Sequence, residues 1–368
     1  MWQGVNVAWV YPIGAMFPMV AAAAFGHEHY MLGWFLLCSM LNLGALIALL
    51  RTRAARYGWQ SAYLWISLTA ILGPLVFSRV DGISAPIVVM GLVLASTRPA
   101  VASALLSVAT WIKVWPAGVV LALAVSSKAW VRILVAGVAV SAFIVAGVVV
   151  GGGKANLFGF IQAQGDRGMQ LEAPLTTPGL WQAVLHLGTH IHPNFAISTM
   201  EIQGSLADKV GALMNPLLGL VVVLIVLLIH IAARRGADRQ NLLAIGALAL
   251  VSSMIVFNKV GSPQFMIWLA AVICVGAAFN GRRWGVPVVS ILAIGIITTL
   301  VYPILYMQLL TALNPGVAAL LTLRNLLVIM VLGWSLLKLL SLVRRAKPAV
   351  PESARDAPIV ATTGVSPK

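Results

Sequence analysis

The feature that most constrains this chain is a series of long apolar runs holding almost no charge. A helix needs about 20 such residues to span the hydrocarbon core of a bilayer. Runs of that kind recur at roughly 30–50, 60–77, 130–150, 210–232, 241–257, 264–280, 286–310 and 317–340. Three shorter ones lie at about 9–25, 83–96 and 100–125, the last broken at Lys113 and Pro116. In lipid every backbone polar group needs an internal partner, so the runs predict helices. They are continuous and not alternating, which argues against a transmembrane barrel. The expected fold class is all-α, a polytopic transmembrane bundle of about 10–11 membrane segments over residues 1–340.

Charge supports the same class. Only 9% of the residues are charged and 61% are hydrophobic, where a soluble domain carries roughly 25% charged residues. That excludes a cytosolic enzyme, a secreted disulfide scaffold and a disordered regulator. The net charge of +15 does not form a nucleic-acid surface. Its basic residues cluster at Arg51/Arg53/Arg56, Arg98, Lys128/Arg132, Arg234/Arg235/Arg239, Arg282/Arg283 and Arg344/Arg345/Lys347, at the ends of apolar runs. The positive-inside rule puts these on the cytoplasmic side. The runs then alternate without conflict if 100–125 is a hairpin of two short helices with Lys113 at its outer tip. The expectation is a multi-pass protein of the cell membrane. Its longest outer loop would be 151–209, with a short helix near 180–187, and residues 341–368 would form a disordered cytoplasmic tail. Cys38 and Cys274 lie inside apolar runs without metal-like spacing.

Ionisable residues at membrane depth are costly and point to function. Five stretches place them at the outer helix ends. In Ser78-Arg79-Val80-Asp81-Gly82, Arg79 and Asp81 read either as an ion pair capping a turn or as ligands of a phosphate and a sugar. In Trp111-Ile112-Lys113-Val114-Trp115-Pro116, the Lys is an interfacial anchor or an ammonium exposed by a helix break. The stretch from 166 to 174 brings Asp166, Arg167, Gln170 and Glu172 into the long loop, as a solvated surface or as ligands of phosphate and sugar hydroxyls. Asn258 and Lys259 end one run, and Gln264 starts the next with an amide that wants a partner. Arg324 and Asn325 lie one to two turns into the last run, too deep for a guanidinium without an anion or carbonyls to receive it. The pair His27 and His29, and the group His186, His190 and His192, are weak metal candidates, and no metal site is expected. No Walker loop, dinucleotide fingerprint, GxSxG or HExxH occurs.

Taken in order, these stretches resemble glycosyltransferase family 87, the polyprenol-phosphate-mannose-dependent mannosyltransferases of the glycosyltransferase C superfamily. Tyr11-Pro12 is similar to the family's Tyr-Pro segment, "SRVDG" to its Arg-x-Asp turn and "WIKVWP" to its Lys-x-x-Pro element. "DRGMQLEAP" resembles its Arg-Gly-x-Gln-x-Glu stretch, while "NKVGSPQFMIWL" and "LTLRNLL" are the closest matches. Ala173 and Phe265 depart from it. The superfamily's initial helix and first-loop catalytic acid have no counterpart before Glu28, so the expectation is a chain without that segment.

The resemblance implies an outer-face site, a polyprenyl-phosphate sugar donor, a glycan or glycolipid acceptor and inverting transfer, with no cofactor. On that reading Arg79, Lys113, Arg167, Lys259 and Arg324 are the candidate phosphate ligands. Gln170, Asn258, Gln264 and Asn325 complete the substrate-binding set, and Asp81 and Glu172 are the carboxylates available for catalysis. The competing expectations are a lipid or solute transporter or flippase, and an inactive membrane member of the family.

Overall fold

The computed structural model describes residues 9–52, 55–153, 156–161, 167–195 and 197–345. Its helices are α1 (Met16–Ala23), α2 (Tyr30–Arg51), α3 (Gly58–Leu72), α4 (Pro74–Phe77), α5 (Asp81–Leu94), α6 (Pro99–Ile112), α7 (Pro116–Ser126) and α8 (Trp130–Val150). The long loop carries α9 (Thr177–Val184) and a hairpin of β1 (His190–Asn194) and β2 (Thr199–Gln203). There follow α10 (Ser205–Arg234), α11 (Arg239–Val256), α12 (Met266–Asn280), α13 (Gly285–Thr299), α14 (Tyr306–Ala312) and α15 (Pro315–Arg345). The chain is an all-α polytopic membrane protein with one small sheet.

Among the described residues, six helical stretches are long and apolar enough to cross a membrane. One of them, Pro263–Ile304, contains both α12 and α13, which the turn at Gly281 (φ 55°) divides. Asp81–Leu94, Pro99–Ile112 and Pro116–Ser126 are apolar but shorter. The 100–125 run is a hairpin: α6 stops at Ile112, and Lys113 is extended at φ −150°, ψ 138°. Pro116 then opens α7 in its first turn, where a missing N–H costs nothing.

Other elements differ from the sequence expectation for local reasons. The 286–310 run is not one helix, because Pro303 lacks a donor and Tyr302 is non-helical. The loop helix lies at Thr177–Val184, three residues earlier than expected, with Pro178 in its first turn. It closes as His186 turns left-handed (φ 55°) and Leu187 N–H reaches the Gln182 carbonyl at 2.8 Å. The β hairpin pairs Ile191 with Ile202 and was not anticipated. The last helix continues through 341–345, and the rest of the expected tail, 346–368, lies outside the described residues.

The packing fits a lipid solvent. α5, α11 and α12 are central, and most of their residues are buried. α12 meets its neighbours through small residues such as Ala270, Ala271, Gly276 and Ala277, which let backbones approach closely. The flanking α2, α8 and α10 turn large apolar side chains outward, with Phe143 at 81% and Val150 at 88% exposure. In water each such side chain would forgo about 1.5–3 kcal/mol of burial; in hydrocarbon it forgoes little.

The helices sort the polar residues to two ends. At one end Arg239 donates to the Ser126 carbonyl at 2.7 Å, and Arg235 to that of Val343 at 3.0 Å. The five polar stretches meet at the other.

Candidate active site

At that second end, the α6–α7 break delivers Lys113 to the start of α5. Its Nζ lies 3.0 Å from Oδ2 of Asp81, and the two side chains are 12% and 0% exposed. Among the described residues this is the one ion pair. The other oxygen, Oδ1, accepts from Trp268 Nε1 at 2.6 Å. Trp268 stacks on Trp115 at 5.4 Å between ring centroids and on Phe265 at 3.9 Å. Trp115 in turn donates to Ser84 Oγ at 3.1 Å. Lys113 also sits over the Tyr11 and Phe265 rings at 5.0 and 5.2 Å, a geometry that attracts a cation. A break, an acid at a helix start and an aromatic floor thus hold one ammonium in place.

Lys113 borders a cleft of about 530 Å³. Arg167, Asn258, Gln264, Asn215 and Ser262 supply other polar side chains, and Tyr11, Phe265 and Trp268 part of its aromatic wall. The Arg167 guanidinium is half-buried, and its Nε has no hydrogen-bond partner among the described residues. Burial lowers its pKa while Tyr11 and Glu201 counteract that; an arginine stays charged regardless. No carboxylate lines the cleft among the described residues. Leu218 and Gly219 of α10 form one flank, on a helix that also exposes apolar residues such as Leu213 and Leu220.

The remaining loop residues form a latch beside the cleft. Gln170 N–H donates to the Lys259 carbonyl at 2.9 Å, and Gln170 Oε1 accepts from Gly261 N–H at 3.0 Å. The two segments touch so closely that a Cβ on Gly261 would overlap the Ala173 backbone. Arg324, 2% exposed, donates from Nη2 to the Glu172 carbonyl at 2.5 Å. Tyr306 O–H donates to Glu172 Oε1, while Oε2 is buried without a hydrogen-bond partner among the described residues. Burial holds the Glu172 carboxyl above the usual carboxylate range, against the opposing pull of Tyr306, Arg324 and Gln170. Asn325 Nδ2 reaches Thr177 Oγ1 at 2.9 Å and pins α15 to the start of α9.

The sequence candidates therefore separate by position. Lys113, Arg167, Asn258 and Gln264 face the cleft. Asp81 lies directly behind Lys113. Gln170, Glu172, Arg324, Asn325 and the backbone of Lys259 build the latch. Arg79 is exposed on the turn before Asp81, and Asp166 lies outside the described residues. Sequence reasoning did not single out Trp268, Asn215 or Tyr306. Trp268 follows Gln264 by one helical turn, and Asn215 is a polar residue before Pro216 inside an apolar run, so both left a readable signal.

A cleft with two cations, three amides and an aromatic wall can bind an anion joined to a polyhydroxylated group. Comparison with known proteins bears on which. The sequence model of glycosyltransferase family 87 matches residues 9–256. That segment includes the Asp81, Lys113 and Glu172 stretches and stops just before Asn258. No curated protein and no solved structure matches the chain.

Proposed function

We propose a donor and a reaction site for this chain, which belongs to glycosyltransferase family 87 and is thus a membrane-embedded glycosyltransferase. The donor is a polyprenyl-phosphate sugar, with mannose as the sugar. The acceptor is a hydroxyl of a glycan or glycolipid on the outer face of the cell membrane. The observation that carries this reading is the cleft's dual character: two cations on its polar lining and a flank on α10, a helix that exposes apolar residues.

In this reading the phosphate sits between Lys113 and Arg167. The acceptor hydroxyl attacks the anomeric carbon, the bond from that carbon to the phosphate oxygen breaks, and negative charge builds on the departing lipid phosphate, which takes up the hydroxyl proton. Cations fixed where that charge develops stabilise the transition state more than the ground state. Each charge-assisted hydrogen bond contributes roughly 1.5–3 kcal/mol. Asn258, Gln264 and Asn215 address sugar hydroxyls, and the aromatic wall takes the apolar face of the ring. The polyprenyl tail leaves along Leu218 and Gly219 into the bilayer. Asp81 acts by holding Lys113, and Glu172 by holding the loop that carries Arg167, so both are positioning residues.

The test is binding of a short-chain polyprenyl phosphate to purified protein in nanodiscs. Arg167→Met should raise Kd at least about tenfold, equivalent to roughly 1.4 kcal/mol. An unchanged Kd would remove the cleft as the donor site.

A further inference from the structure

A second cavity, of about 390 Å³, lies at the opposite, cationic end, where α5 and α7 finish and α6 and α11 begin. The transfer reaction leaves it unused. Its wall is apolar, built from Leu92, Leu123, Leu243 and Phe279. Its rim is polar. Lys128 is exposed there beside Ser127, and Gln240 brings an amide whose Nε2 is buried without a partner among the described residues. Such a donor wants an acceptor.

Charge at the rim favours an anion. Arg239 spends its hydrogen bonds on the Ser126 and Ala233 carbonyls, 2.7 and 3.1 Å away. Those are neutral groups, so its positive charge stays uncancelled. The one acid on the rim among the described residues, Asp238, uses Oδ1 to cap α11 through Asn241 N–H at 2.8 Å. Lys128 and Arg239 outnumber it.

The short helices leave room for a lipid at this end. α6 has 14 residues and α7 has 11, which rise about 21 Å and 16 Å. The hydrocarbon core is about 30 Å thick. Both helices therefore fall short of that thickness, by roughly 9 and 14 Å. A short segment is accommodated by thinning the bilayer or by filling the gap. Water would leave the leucine-lined wall wet, whereas an acyl chain matches it.

We propose that this cavity binds one anionic phospholipid of the adjoining leaflet, with an acyl chain on the apolar wall and its phosphate at Lys128 and the Gln240 amide. The site is separate from the donor cleft and does not depend on the donor reading.

Native mass spectrometry of the full chain, released from nanodiscs of equal phosphatidylglycerol and phosphatidylcholine, tests it. The expected spectrum shows one retained phosphatidylglycerol, preferred at least fivefold over phosphatidylcholine. Ala244→Phe, which fills the cavity, and Lys128→Ser, at an exposed position, should each lower retention at least fivefold. Arg167→Met in the donor cleft should leave it unchanged. Lipid-free wild type, no preference for the anionic lipid, or full retention in Lys128→Ser would overturn the proposal. Retention lost with Arg167→Met and kept with Lys128→Ser would place the lipid in the donor cleft and overturn it equally. Lys128→Ser decides the matter even where Ala244→Phe does not fold.

Discussion

Asp81→Asn separates the charge of this carboxylate from its shape. Asp81 is fully buried and serves two donors, Lys113 at 3.0 Å and Trp268 at 2.6 Å. Asparagine fills the same volume but offers one acceptor oxygen, and its NH₂ must face the second donor. Lys113 is only 12% exposed, so water in the cleft compensates it only in part. Removing one member of a buried pair costs about 3–5 kcal/mol, mostly because the other charge is left uncompensated. Lys113→Met should cost a similar amount for the mirror reason. Combining the two removes both charges, so the double variant should be less destabilised than the sum by at least about 2 kcal/mol. Equilibrium unfolding in mixed micelles, followed by tryptophan fluorescence, reads this directly, since Trp115 and Trp268 stack beside the pair. A cost below about 1 kcal/mol for Asp81→Asn, or additive single effects, would mean that the two charges are not coupled in the folded state.

Glu172 gives a pH signature. Its folded pKa is raised, so between the ordinary glutamate value of about 4.3 and that raised value the folded state binds more protons than the unfolded state. Stability should therefore fall as pH rises through that window, and Glu172→Gln should flatten the slope; a slope of opposite sign contradicts the assignment. Arg324→Lys keeps the charge but loses the planar fork. It should insert normally, expose the segment 167–176 to faster proteolysis and lower transfer about tenfold, or roughly 1.4 kcal/mol; wild-type proteolysis and activity would remove Arg324 from the latch. Gly261→Ala forces a Cβ into the Ala173 backbone and should cost about 1–3 kcal/mol in thermal unfolding, an effect absent if the two segments are not in contact.

Much of this architecture is legible in the sequence because lipid imposes simple rules. Apolar run length marks α2, α8, α10 and α15, and the arginine clusters mark one set of helix ends. The break at Lys113 follows from a lysine and a proline in one apolar run. What escaped depends on tertiary contact. The strands β1 and β2 have five residues each, too few for a clear alternation, and Pro193 argues against one of them. Tyr306 falls inside a run read as one helix, and only the fold brings it to Glu172, 134 positions away. Arg324 was marked by its depth, yet a carbonyl partner and an anionic ligand explain that depth equally well from sequence. Its bond to Glu172 shows what it reaches in the fold.

The proposed reaction turns on the lipid-phosphate donor. Its most direct measurement offers purified protein in vesicles, with membrane extract as acceptor source, radiolabelled mannose on a polyprenyl phosphate or on a nucleotide. Label should enter glycan or glycolipid from the lipid-linked sugar alone, with Arg167→Met at least about tenfold slower. Transfer from the nucleotide sugar without a lipid carrier, or equal rates in wild type and Arg167→Met, would contradict it.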